Sequence, residues 1–231
     1  MSNVKIPAPS LHAGARAVTS AYSLSSLIDY GDARAAERDA TTEAQALASA
    51  ILHHANHFEW SLQGMGFIRL HLVGHCRLHV WDKRYRVPGV SMIHDHLQWA
   101  LNSTILSGEL VNRIYVESQG DWGGDPYDWA TIKPGAGCYF KTATQRTYLS
   151  PMLLPERLLA GERYRQAPDV IHETDAIDGT VTISRKEPTP NDSARVFWPA
   201  GTEWGSAEPR KATADEVADI VGRALTRWTG A

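Results

Sequence analysis

The chain has 231 residues, 43% of them hydrophobic, and a formal charge of −3. That length and apolar content suffice for one sizeable core, and all-β barrels of this size are commonly single domains. No basic stripe runs through the sequence, which excludes a nucleic-acid or membrane-surface partner, so function is expected in a pocket that takes a small molecule.

The two cysteines, Cys76 and Cys138, are too few for a disulfide framework and lie in strand-like runs; free thiols are expected. The N-terminal stretch MSNVKIPAPSLHAGARAVTS lacks the apolar core of a signal peptide, and nowhere do 18 apolar residues run together. The expected location is the cytoplasm.

In chain order, Pro7, Pro9 and Gly14 mark an extended arm. From Thr41, the stretch TTEAQALASAILHHANHF spaces Leu47, Ala50 and Ile51 as a helix does, and that helix is expected against the outside of a barrel. His53, His54 and His57 near its end read as structural, because the negative end of the helix dipole favours histidine. After Gly66 the pattern changes to period two. GFIRLHLV puts Phe67, Arg69 and His71 on one face, and CRLHVWDKRYRV does the same for Arg77, His79 and Trp81. Polar residues sharing a face with a tryptophan indicate either solvent or a polar cavity.

The centre of the sequence is VPGVSMIHDHLQWALNSTILSGELVNRIY. On a strand, His94 and His96 share a face and Asp95 points to the other. His172, in PDVIHETDAIDGTVTIS, lies in a similar β-prone run, with Glu173 expected to face away. Three neutral imidazoles converging inside a barrel make a facial metal site with open coordination positions. Gln98, two residues past His96, is placed on the histidine face, where its amide would bond a metal-bound group. His79 is a candidate acid or base and Tyr115 or Tyr148 a candidate hydrogen-bond donor, against duller readings as a satisfied barrel histidine and packing tyrosines.

The STIL strand turns at Gly108 into ELVNRIYVE, and a loop is expected over QGDWGGDPYDW. KPGAGCYF supplies a Pro-Gly turn into a short strand. From Lys141 to Gly161 two prolines and an apolar run suggest a loop packed over the barrel mouth as a lid. VTISRKEPTP is a strand that leaves at its prolines. Thr213 with Glu216 forms a capping box, and Val217, Ile220, Val221, Ala224, Leu225 and Trp228 make one stripe of a C-terminal helix. About eight strand segments with intervening turns indicate an all-β antiparallel barrel or jelly roll. Residues 1–231 read as a single domain: arm and helix over 1–62, barrel over 63–200, C-terminal helix over 201–231.

The order of strand, His-x-His, Gly108 twelve residues after His96, and a third histidine after a proline-containing turn resembles the two motifs of the cupin superfamily. Many cupins carry a glutamate four or five residues after the second histidine, where this chain has Ala100 and Leu101. The likeness therefore narrows to three-histidine cupins such as the cysteine dioxygenase family. GFIR, LHVW, IHDH and ILSGEL are similar to the corresponding stretches of that family, about a third of the chain. The resemblance implies an RmlC-like barrel with flanking N- and C-terminal helices, and a non-haem iron enzyme using dioxygen on a small carboxylate-bearing substrate, with thiol dioxygenation foremost. It implies His94, His96 and His172 as Fe(II) ligands, Arg69 as the carboxylate anchor and Trp81 as cavity wall. The family's Ser-x-His-x-Tyr strand corresponds here to Thr182, Ser184 and Lys186, and neither cysteine matches the one that crosslinks to tyrosine in some members.

From chemistry alone, neutral ligands leave a divalent charge that attracts an anionic chelator, and an arginine fork orients a carboxylate. Two further readings stand: a redox-neutral lyase or isomerase using zinc, manganese or nickel as Lewis acid, and a non-catalytic small-ligand-binding cupin. Either a monomer or a homodimer is expected, with Leu78 and Val80 suited to a dimer contact or to the helix from Thr41.

Overall fold

The computed structural model describes residues 34–118, 123–134, 139–152, 154–205 and 207–229. The expected N-terminal arm, the Pro-Gly turn after Lys133 and Cys138 lie outside these residues. From Ser61 onward the alternating pattern yields antiparallel strands in two facing sheets, a β-sandwich of jelly-roll type. The first sheet holds, in spatial order, β11 (Arg163–Gln166), β5 (Trp99–Ser107), β13 (Val181–Pro188), β3 (Cys76–Arg86), β2 (Met65–His71), β1 (Ser61–Gln63) and β15 (Arg210–Lys211). The second holds β10 (Glu156–Leu159), β6 (Glu109–Ser118), β12 (Ile171–Ala176), β4 (Ile93–His94), β14 (Ala194–Pro199), β7 (Asp125–Pro134) and β8 (Tyr139–Lys141), with β9 (Gln145–Pro151) pairing both β6 and β7. The strand β9 thereby closes a ring, β6–β12–β4–β14–β7–β9, on the side of the second sheet away from the first.

Among the described residues two α-helices flank the sheets, α1 (Arg34–His53) and α2 (Ala214–Thr229). The capping box of α2 forms: the Thr213 N–H donates to Glu216 Oε2 at 2.8 Å, and the Glu216 N–H to Thr213 Oγ1 at 3.3 Å. Its apolar stripe packs with Ala44, Ala48, Ile51 and Leu52 of α1 against the outer face of the first sheet. Leu78 and Val80 are fully buried in this layer, so the helices, and not a second copy of the chain, cover them. Cys76 is buried there. Among the described residues no helix is long and apolar enough to cross a membrane.

Four expectations need correction. The first helix begins at Arg34, not Thr41. The loop expected over QGDWGGDPYDW gives way to β7 at Asp125, where Tyr127 and Trp129 turn their rings into the ring closed by β9. The lid expected between Lys141 and Gly161 is instead β9 and β10, both in the second sheet. Thr147 and Leu149 alternate into the structure, and Pro151 falls at a strand end where no ladder donor is lost. The His-x-His strand stops at His94; Asp95 and His96 continue in irregular backbone. The turn at Gly108 is as expected and requires glycine: φ is +85°, and a Cβ there would sit 2.4 Å from Thr180 Oγ1.

Candidate metal centre and cavity

The two sheets enclose a cavity of about 380 Å³, in the range of small-molecule sites. One wall carries the histidines. His172 on β12 is the register partner of His94 on β4, and directly opposed residues of a ladder share a face. His96 reaches the same point from the irregular segment, which is fixed at three places. Its N–H donates to the Pro168 carbonyl at 3.0 Å, its carbonyl accepts the Trp99 N–H at 2.9 Å, and the preceding Asp95 N–H donates to the Arg195 carbonyl at 3.0 Å. One ligand nitrogen from each of the three histidines lies within 4.8 Å of the others. Asp95 points away, as alternation requires, and its buried carboxylate accepts the backbone N–H of Arg195 at 2.8 Å and Nε–H at 2.5 Å. Arg195 also reaches Glu117, so a buried ion pair braces the loop between the two ligands.

The hydrogen bonds set the tautomers. His94 Nδ1 lies 2.9 Å from the Met92 carbonyl and His172 Nδ1 3.0 Å from the Val170 carbonyl. A carbonyl only accepts, so both Nδ1 atoms carry the proton and both Nε2 atoms present lone pairs to the cavity. His96 differs: the Trp99 indole N–H, a pure donor, gives its hydrogen bond to His96 Nδ1 at 2.6 Å. Neutral His96 therefore holds its proton on Nε2, which donates to His94 Nε2 at 2.9 Å. Burial pushes all three pKa values down, His172 to about 3, with the neighbouring imidazoles adding to the effect on His96 and His172. Three neutral, clustered imidazoles with no carboxylate among them are a donor set that can hold a divalent metal ion.

The opposite wall is the first sheet, and its inward polar face is a cavity face. Phe67 pairs with Trp81, Arg69 with His79, and His71 with Arg77. Trp81 donates its indole N–H to Thr182 Oγ1 at 3.2 Å. His79 is buried with its ring edge-on to Phe67 and 5.0 Å from it, and burial, then Arg77 and Arg69, hold it neutral. Ser184 shares a 2.6 Å hydroxyl contact with Ser103, and Lys186 sets its ammonium 2.9 Å from the centroid of the Trp99 ring. Burial, then Arg77 and Arg69, push the Lys186 pKa down to about 6.

Of the expected site residues, His94, His96, His172, Arg69, Trp81 and His79 line one cavity. Tyr115 does not. It pairs with Ile171, one residue out of phase with His172, and so points to the far side of the sheet. There it joins Ile93, Leu149, Ile171 and Phe197 inside the ring closed by β9 and donates to Glu173 Oε2 at 2.8 Å. Tyr148, on β9, is likewise outside the cavity lining. Gln98 borders the cavity, but the chain turns at Leu97 and Gln98, and the Gln98 amide donates to the Asp192 carbonyl at 3.0 Å. Sequence reading missed Trp99, Gln166 and the Asp95–Arg195 pair, and placed Arg77 on the face of His79 and Trp81 without giving it a role. Only the spacing of Trp99, three residues past His96, hinted at a contact. Compared with protein-family models and with curated proteins, the chain matches none.

Proposed function

We propose that the protein is a non-haem Fe(II)-dependent oxygenase of cupin type, acting with dioxygen on a small carboxylate-bearing substrate. Oxidation of a thiol to a sulfinic acid, RSH + O₂ → RSO₂H, is the leading reaction. The observation that carries this reading is the donor set: three buried neutral histidines, no carboxylate ligand, and a cationic wall facing them across a small cavity. A ferrous ion held by His94, His96 and His172 would supply open coordination positions and one-electron chemistry toward dioxygen. Arg69 fixes the substrate carboxylate and so aims the rest of the molecule at the histidines. Phe67 and Trp81 keep water from the inner end of the wall, and buried neutral His79 is a proton acceptor in reach of that end.

A second reading, a redox-neutral lyase or isomerase with zinc, manganese or nickel, is favoured by one observation. Lys186 stands where the resembled family has tyrosine, and its lowered pKa makes it an amine base near neutral pH. The deciding experiment is oxygen uptake by protein loaded anaerobically with Fe(II), tested on small thiols and on amino and keto acids, with His172→Ala as blank. Uptake that needs both substrate and His172 is expected. Turnover without oxygen consumption would replace the oxygenase by the redox-neutral enzyme.

A further inference from the structure

The substrate carboxylate anchor at Arg69 does not account for the whole cationic wall. One register row further along the sheet stand Arg77 and His71, and beyond Arg77 on the neighbouring strand lies Lys186. Rows of one face are spaced about 7 Å apart, two residues of strand, so these groups form a second polar station distinct from Arg69. Lys186 and Gln166 are both register partners of Leu101, from opposite sides, and therefore share its face. Gln166 is 3% exposed and lines the cavity; among the described residues neither its Nε2 nor its Oε1 has a hydrogen-bond partner. A buried primary amide left without partners carries a desolvation cost that a polar ligand group would recover. The Trp99 ring holds Lys186 Nζ and lies 5.5 Å from Arg77 Cζ, keeping both side chains at this station. The one carboxylate among the described lining residues, Asp95, turns out of the cavity to Arg195. An amine that a neighbouring anion would keep protonated, a guanidinium and an amide on one cavity face match the acceptor-only chemistry of an anionic oxygen group.

We infer that Lys186, Gln166 and Arg77 form a second anion subsite, and that the substrate carries two separated acidic groups, one for Arg69 and one for this station. The inference rests on the reading of the three-histidine cavity as a substrate pocket. It adds that the substrate is a dianion such as a dicarboxylate or a carboxylate bearing a sulfonate.

The test is binding, followed by tryptophan fluorescence and calorimetry, of glutarate against valerate, two five-carbon chains with two carboxylates or one. Glutarate is expected to bind wild type at least about 10-fold more tightly, roughly 1.4 kcal/mol. Lys186→Met should remove most of that preference while leaving valerate unchanged, Lys186→Arg should restore it, and Gln166→Leu should reduce it. Equal binding of the two acids, no binding of either at 20 mM, or a Lys186→Met loss equal for both would overturn the subsite. Stoichiometry of Co(II) binding to wild type and His172→Ala, measured in parallel, separates the two ideas. Protein that prefers glutarate but holds no Co(II) would sink the metal-centre reading alone. Protein that holds Co(II) without preferring glutarate would sink the subsite alone.

Discussion

Trp99 and His96 are joined by a hydrogen bond whose direction is fixed, since an indole N–H can only donate, and it leaves the His96 proton on the nitrogen that faces the other ligands. A metal held by that nitrogen requires the other tautomer, with the proton on Nδ1 and the Trp99 hydrogen bond given up.

Trp99→Phe removes the donor and lets the His96 proton move to Nδ1. In wild type the proton reaches Nδ1 only if the Trp99 bond is given up, whereas in the variant it rests there before the metal arrives. The variant should bind the metal about 5-fold more tightly, about 1 kcal/mol for the hydrogen bond no longer opposed. Titration calorimetry with Co(II) reads the difference.

The Asp95–Arg195 pair is buried, so removing one member leaves a charge without its partner. Arg195→Met should cost about 3–5 kcal/mol of stability, and Asp95→Asn less, because the amide keeps an acceptor for the Arg195 N–H. Urea unfolding of the metal-free proteins measures the loss. Co(II) affinity should fall in parallel, because Asp95 links two ligands.

The buried histidines make the metal-free protein sensitive to acid. An unfolded histidine takes up a proton near pH 6.5, whereas folded His172 does so only at about 3. Between those values the unfolded state binds more protons, so stability falls with pH by up to about 1.4 kcal/mol per unit for this residue. Thermal melts from pH 7 to pH 4 should show a shallower decline in His172→Gln than in wild type. An equal slope would mean that His172 ionises in the folded state.

Arg69 and Tyr115 should behave oppositely. Arg69→Ala is expected to raise KM for a carboxylate substrate about 10- to 100-fold with a smaller change in kcat, because it removes binding common to ground and transition states. Tyr115→Phe should leave kcat/KM within about 2-fold and cost about 1 kcal/mol of stability, the hydrogen bond to Glu173. Steady-state kinetics of the two variants checks both; an unchanged KM in Arg69→Ala would remove the anchor.

Much of the site was legible because period-two alternation survives without knowledge of partners. Arg69, His79 and Trp81 fall on one face whichever strands flank them, and Asp95 points away from its neighbouring histidines even though the strand ends at His94. Tyr115 was misplaced because its face relative to His172 depends on pairing. A shift of one residue would have turned it inward, and nothing local fixes that register. Gln98 does line the cavity, but its amide turns to Asp192, because extending the alternation past His96 assumes a strand where the chain turns. The station at Gln166, Leu101 and Lys186 joins three strands far apart in sequence, and only the assembled sheet brings them into a row.

The cavity is built from two sheets with separate duties. His94 and His172 belong to the sheet that β9 backs with its own small core, while Arg69, Arg77, Gln166 and Lys186 belong to the other. Replacing a cation on the recognition wall leaves the ladder that aligns the histidines untouched. Under the proposed function, the scaffold could change the anionic substrate it takes by single substitutions that leave the three histidines in place.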